Sequence, residues 1–106
     1  MSAQFKSFEV RQTDLQTIVV VGDIDASSVV RAREEGEMLL RSVGQVCTVD
    51  LTGLGPANSV VMSMLLCWIR LASALSVELC IINETRRFSE LCRVNGLDRI
   101  LFGPRG

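Results

Sequence analysis

The chain contains no histidine. That removes the commonest general base and the commonest metal ligand. A serine or cysteine nucleophile needs such a base beside it, so nucleophilic catalysis is not expected. Lysine is almost missing too: Lys6 is the only one among 11 basic residues, and the rest are arginines. The formal net charge is −1, without the basic excess of a nucleic-acid binder, so no nucleic-acid partner is expected. No CxxC pair occurs among the four cysteines, Cys47, Cys67, Cys80 and Cys92. Each lies in an apolar stretch, which predicts buried free thiols in a reducing compartment rather than a secreted disulfide framework. No long hydrophobic run is present. The longest, Val60 to Ile69, is interrupted by Ser63 and closed by Arg70, far short of the roughly 20 residues a membrane span needs. The polar stretch Met1 to Val10 has no signal-peptide pattern. A soluble, cytoplasmic protein without direct membrane insertion is expected. Gly53 and Gly55 lack the Gly-Lys-Ser/Thr ending of a phosphate loop, and no cofactor or metal site is expected.

What is there is the composition of a globular domain: 106 residues, 48% apolar and 22% charged. One domain over residues 1–106 is expected, with flexible ends at 1–4 and 103–106. A weak first strand is expected around Phe5 to Val10, then a polar turn over Gln12 to Gln16. The β-branched run Thr17 to Val21 reads as a strand buried on both faces. Val29 to Val43 has helical apolar spacing, with Asp25, Ser27 or Ser28 as its cap and Gly44 as its stop. Val46 to Leu51 and Val77 to Ile82 read as strands. Ser59 opens an apolar helix to about Leu75, and Thr85 caps another that ends at Asn95-Gly96. The tail Leu97 to Phe102 is ambiguous between strand and helix. Strands alternating with helices imply a mixed, mostly parallel sheet of four to five strands with three to four helices packed on it. The first strand, joined by a short turn, is expected to be antiparallel and near an edge.

The apolar helix carries the functional signal. At 100° per residue, Val61, Met64, Leu65, Trp68, Ala72 and Leu75 share the side expected to face the sheet. The other side carries Ser59, Met62, Ser63, Leu66, Arg70 and Ser73. A solvated face would be charged, whereas Met and Arg with small hydroxyls suit a protein contact. Ser59 is expected at the mouth of this face, where its hydroxyl can cap the helix. A phosphate there would meet the positive helix end and bring about two negative charges into the contact. Asp23 and Asp25, two apart at a strand end, read as turn and cap residues.

Several short motifs, in order, resemble STAS domains. Gly22-Asp23-Ile24-Asp25 looks like their G-E-L-D strand end. Val49-Asp50-Leu51-Thr52 followed by Asn58-Ser59 looks like their D-L-S … D-S/T segment, and Asn95-Gly96-Leu97 like their S-G-L ending. The resemblance covers essentially the whole chain, from about residue 8 to residue 102. Leu65-Leu66-Cys67-Trp68-Ile69-Arg70 is similar to the L-L-x-W-x-R run of the small STAS subunit of Mla phospholipid transporters, the MlaB type. That resemblance implies a non-enzymatic subunit docking on the cytoplasmic ABC ATPase, peripheral to the inner membrane. Ser59 would be the central contact, with Asn58, Met62, Ser63, Leu66 and Arg70 around it. The alternative implied is an anti-sigma-factor antagonist that binds a kinase-type anti-sigma factor and is switched by phosphorylation of Ser59. Two departures weigh against the switch: the antagonists' Asp before that serine is Asn58, and their Gly-Leu after it is Val61-Met62. With its partner face bare, the isolated chain is a candidate homodimer.

Overall fold

The computed structural model describes residues 8–103. The first two strands, β1 (Phe8–Asp14) and β2 (Thr17–Gly22), form an antiparallel hairpin. Then come α1 (Val29–Leu40), β3 (Val46–Asp50), α2 (Ser59–Ala74), β4 (Glu78–Ile82), α3 (Arg86–Val94) and α4 (Asp98–Phe102). The sheet order is β1-β2-β3-β4, with β2, β3 and β4 mutually parallel. This is the expected mixed sheet, with four strands and four helices, and β1 does lie at an edge. The expected flexible ends fall, apart from Gly103, outside the described residues. Gly103 itself ends α4, with a φ of 77° and its N–H on the Arg99 carbonyl.

Alternation along each strand decides where the core sits. Phe8, Val10, Ile18, Val20, Cys47, Val49 and Ile81 are buried on one face of the sheet. The other face carries exposed Glu9, Arg11, Val46, Glu78 and Cys80, with Thr17, Val19, Val21, Thr48 and Asp50 half-buried. The expectation that β2 is buried on both faces is therefore corrected. Its β-branched run reflects strand propensity, while the helices cover one face. The polar turn expected over Gln12 to Gln16 is also shorter, because β1 runs on to Asp14 through a register irregularity. Only Leu15 and Gln16 turn, held by Gln16 N–H donating to the Asp14 carboxylate at 2.8 Å.

The two long helices approach closely at Trp68. Trp68 of α2 is fully buried, as expected, and its indole N–H donates to the Arg33 carbonyl of α1 at 3.0 Å. A Cβ on Gly36 would collide with the Trp68 ring. Gly36 is thus a core residue of α1, which apolar spacing could not show. α1 ends at Leu40 rather than at Val43, although Val43 N–H still reaches the Leu39 carbonyl. α3 starts and stops as expected. The Thr85 hydroxyl accepts from Phe88 N–H at 3.1 Å. At the other end Gly96, with φ 72°, and Leu97 donate to the Arg93 and Cys92 carbonyls, a helix ending that needs a left-handed residue. The ambiguous tail is helical, and Phe102 meets Phe88 edge-on at 6.1 Å.

Candidate functional site

The loops that leave β2 and β3 lie side by side at the C-terminal end of the parallel strands. Gly22 N–H donates to the Gly53 carbonyl at 2.9 Å, and Gly55 N–H to the Gly22 carbonyl at 2.7 Å. Gly22 takes a φ of 90° there. A Cβ on Gly55 would collide with the Asp23 carboxylate. The two loops therefore need glycine where they touch, and Asp23 packs across the second. Asp25 does the turn work expected of it, accepting from Ser27 N–H at 2.9 Å and Ser27 Oγ at 2.6 Å. Those hydrogen bonds hold its carboxyl below the ordinary carboxylate value.

Asn58 joins this platform to α2. Its Oδ1 accepts from Val61 N–H at 3.1 Å, and its Nδ2 donates to the Ile24 carbonyl at 3.3 Å. Asn58 is the helix cap. The expectation that Ser59 caps is corrected, since Ser59 is the first helical residue and is exposed. An N-cap needs extended backbone, and Asn58 has it with φ −146°. A two-sided amide serves better here than a hydroxyl, because it accepts from the helix and donates to the neighbouring loop. The Ser59 hydroxyl is thereby left outside the cap.

The outward side of α2 is narrower than helical spacing suggests. Ser59, Ser63, Arg70 and Ser73 are exposed, and Leu66 and Cys67 are half-buried. Met62, expected on this face, is corrected to the core at 7% exposure. It lies near the boundary of the apolar side, and its flexible chain folds inward. On the inward side Val61, Met64, Leu65, Trp68 and Ala72 are buried as expected, whereas Leu75 follows the helix end and is 40% exposed. Of the six expected contact residues, Asn58 thus serves as cap, Met62 as core, and Ser59, Ser63, Leu66 and Arg70 share the accessible face.

Beside that face runs a groove of about 140 Å³ between α1 and α2, lined by Val29, Val30, Arg33, Ser63, Met64 and Cys67. Val30 is 57% exposed although apolar. Spacing assigned α1 only a core role and did not foresee this wall. A second depression, bounded by Leu54 to Ala57, Thr85 and Arg87, lies across the Gly53–Asn58 loop. Arg86 and Arg87 are solvent-exposed, and Arg93 pairs with Glu90 at 2.8 Å.

Asp50 has a role the sequence did not assign. It accepts from Thr52 Oγ1 at 2.6 Å and from Asn83 Nδ2 at 3.0 Å, tying the β3 exit to Asn83, which sits at φ 64°. The thiols are less uniform than expected. Cys47 and Cys92 are buried, and burial pushes both up to about 11. Cys67 is half-buried, and Cys80 is exposed on the open sheet face. Among the described residues, no three His, Cys, Asp or Glu side chains are grouped to hold a metal ion. No helix among them is long and apolar enough to cross a membrane.

A single α/β domain with one open sheet face and helices packed on the other is the architecture of the STAS fold. The family model described as MlaB, STAS domain, matches residues 8–102, and the chain belongs to that family. No curated protein matches in sequence. Among solved structures, the anti-sigma factor antagonist SpoIIAA in its unphosphorylated form superposes with a TM-score of 0.70 at 16% identity, over 90% of this chain and 85% of that one. The phosphorylated form of SpoIIAA from Bacillus gives 0.66 at 16% identity, over 90% and 88%. An anti-sigma factor antagonist from Mycobacterium paratuberculosis gives 0.66 at 15%, over 89% and 80%. At these identities the likeness is one of fold.

Proposed function

We propose that the chain is a non-enzymatic regulatory subunit of a bacterial phospholipid-transport ABC complex. It docks on the cytoplasmic ATPase through the α2 face headed by Ser59, and is held peripheral to the inner membrane by that partner. The observation that carries this reading is the match of the MlaB-type family over residues 8–102. The α2 face adds chemistry suited to docking: exposed Ser59 and Ser63, half-buried Leu66 and exposed Arg70, with no acidic residue from Ser59 to Ala74. Asn58 acts from below by fixing the helix start, and Met62 by packing under it.

A second reading is an anti-sigma-factor antagonist switched by phosphorylation of Ser59. The exposure of Ser59 on the first turn of α2, outside the cap, favours it, because a phosphate there would meet the helix N-terminus. Both readings use the same face and differ in the partner. The test is affinity capture from native cell extract with the wild-type chain and with Ser59→Arg, read by mass spectrometry. An ABC ATPase recovered with its permease, and lost in the variant, is the expected result. Recovery of a kinase-type anti-sigma factor instead would move the assignment to the second reading. Equal recovery by a folded Ser59→Arg protein would place the contact elsewhere.

A further inference from the structure

The groove between α1 and α2 has an uneven chemistry. Its walls are apolar along Val29, Val30, Met64 and Cys67, and its charge is Arg33. Arg33 Nε is buried and has no hydrogen-bond acceptor. The Glu37 carboxylate stands 3.8 Å from that nitrogen, too far for a hydrogen bond. The pair is Coulombic only, and the two-point seat that a guanidinium offers a carboxylate is unfilled. The Arg33 side chain is 39% exposed, so it can be reached from solvent although its Nε is already stripped of water. A desolvated donor without an acceptor is costly, and a charged acceptor relieves more than a neutral one.

The facing wall offers no relief. α2 contributes no carboxylate, and Arg70 continues the stripe of Ser63 at i+7. The groove is also preformed. The Trp68 indole holds the Arg33 carbonyl, and Gly36 lets the ring seat against α1, so the turn that carries Arg33 is fixed relative to α2. Val30 and Arg33 are one turn apart on α1. An apolar anchor and a charged one separated by a helical turn match the spacing of side chains on an incoming helix.

We infer that this groove seats an amphipathic helical segment of a partner protein, with one apolar side chain between Val30 and Cys67 and one carboxylate on the Arg33 guanidinium. The inference deepens the docking reading above, since Ser63 belongs both to the groove and to the Ser59 face. It names the chemistry of the partner segment, an apolar and an acidic residue three or four apart, and makes Arg33 a specificity residue.

The test does not require the natural partner. A phage-displayed library of helix-forming peptides is panned on the full chain and on Arg33→Met, whose fold is checked by its thermal midpoint. Peptides from the wild-type selection are expected to carry Asp or Glu three or four residues from Leu, Ile or Phe. Their affinity for Arg33→Met is expected to fall at least tenfold, with a smaller fall for Arg33→Lys, which keeps the charge but loses the planar fork. Bound peptide is expected to shift the amide signals of Val30, Arg33, Ser63 and Cys67. The inference is overturned by selections without acidic enrichment, by equal binding to Arg33→Met, by shifts centred elsewhere, or by a library that yields no binder. A failure of the ATPase reading would appear only in the extract capture and would leave the peptide result standing.

Discussion

Gly36 and Trp68 set the distance between the two helices that bear the proposed docking face. With its Cβ inside the space of the indole, Gly36→Ala forces the ring or the helix to move. Alanine gains about 1 kcal/mol of helix propensity over glycine. Overpacking costs about 1–3 kcal/mol, and displacing the indole also strains its 3.0 Å bond to the Arg33 carbonyl. The collision is expected to win. Gly36→Ala should lower the urea midpoint by the equivalent of about 1–2 kcal/mol and shift the emission of the single tryptophan. Trp68→Leu combined with Gly36→Ala should cost less than the sum of the two, because the clash is shared. Additive costs would mean that the two residues do not press on one another.

Among elements, α2 is the one whose start determines the site. Its cap is the Asn58 amide, which bonds Val61 N–H and the Ile24 carbonyl together. Asn58→Ala loses both bonds and is expected to cost about 1–2 kcal/mol. Asn58→Asp keeps the acceptor and gains at the helix dipole, but loses the donor to Ile24, so a smaller loss is expected. Ser59→Ala should stay within about 0.5 kcal/mol, as for other exposed positions without such bonds. Chemical denaturation of the three variants checks the order. A Ser59→Ala loss as large as that of Asn58→Ala would return the cap to Ser59.

At the scale of the whole molecule, two sets of titrating groups bound the pH range of stability. Hydrogen bonds hold Asp14, Asp25 and Asp50 below their ordinary value of 3.8. A carboxylate with a depressed folded value binds protons less readily when folded, so its contribution is present above the unfolded value and is lost on acidification. Burial raises Cys47 and Cys92 from 9.0 to about 11. A raised folded value works in the opposite sense: that contribution is present below 9.0 and is lost as pH rises toward 11. Stability should therefore be flat between about pH 5 and pH 9 and fall on both sides. Denaturation midpoints from pH 3 to pH 10.5 should show both limbs. The alkaline limb should flatten in Cys47→Ala/Cys92→Ala, although that variant starts lower. An alkaline limb unchanged in the double variant would assign it to other groups.

Strand and helix order, the antiparallel edge hairpin and the inward side of α2 from Val61 to Ala72 were legible in the sequence, because they follow from local periodicity. So was the Thr85 cap, which needs only its own turn. Asn58 looked like a neighbour of the cap because its second bond, to Ile24, joins residues far apart in the chain. Met62 looked outward because helical angle places a Cβ but not the end of a flexible side chain. Periodicity could not make Gly36 a core residue, since the tryptophan that occupies its space comes from another helix. Local pattern alone settles the elements from β1 to α3 and the family motifs they carry, but not the helical state of the tail. Folding in three dimensions was needed to leave one side of the sheet open, to put Ser59 outside the cap, and to bring Val30 and Arg33 together with Ser63 and Cys67 in one groove. Those outcomes depend on contacts between elements distant in sequence, which no local pattern encodes.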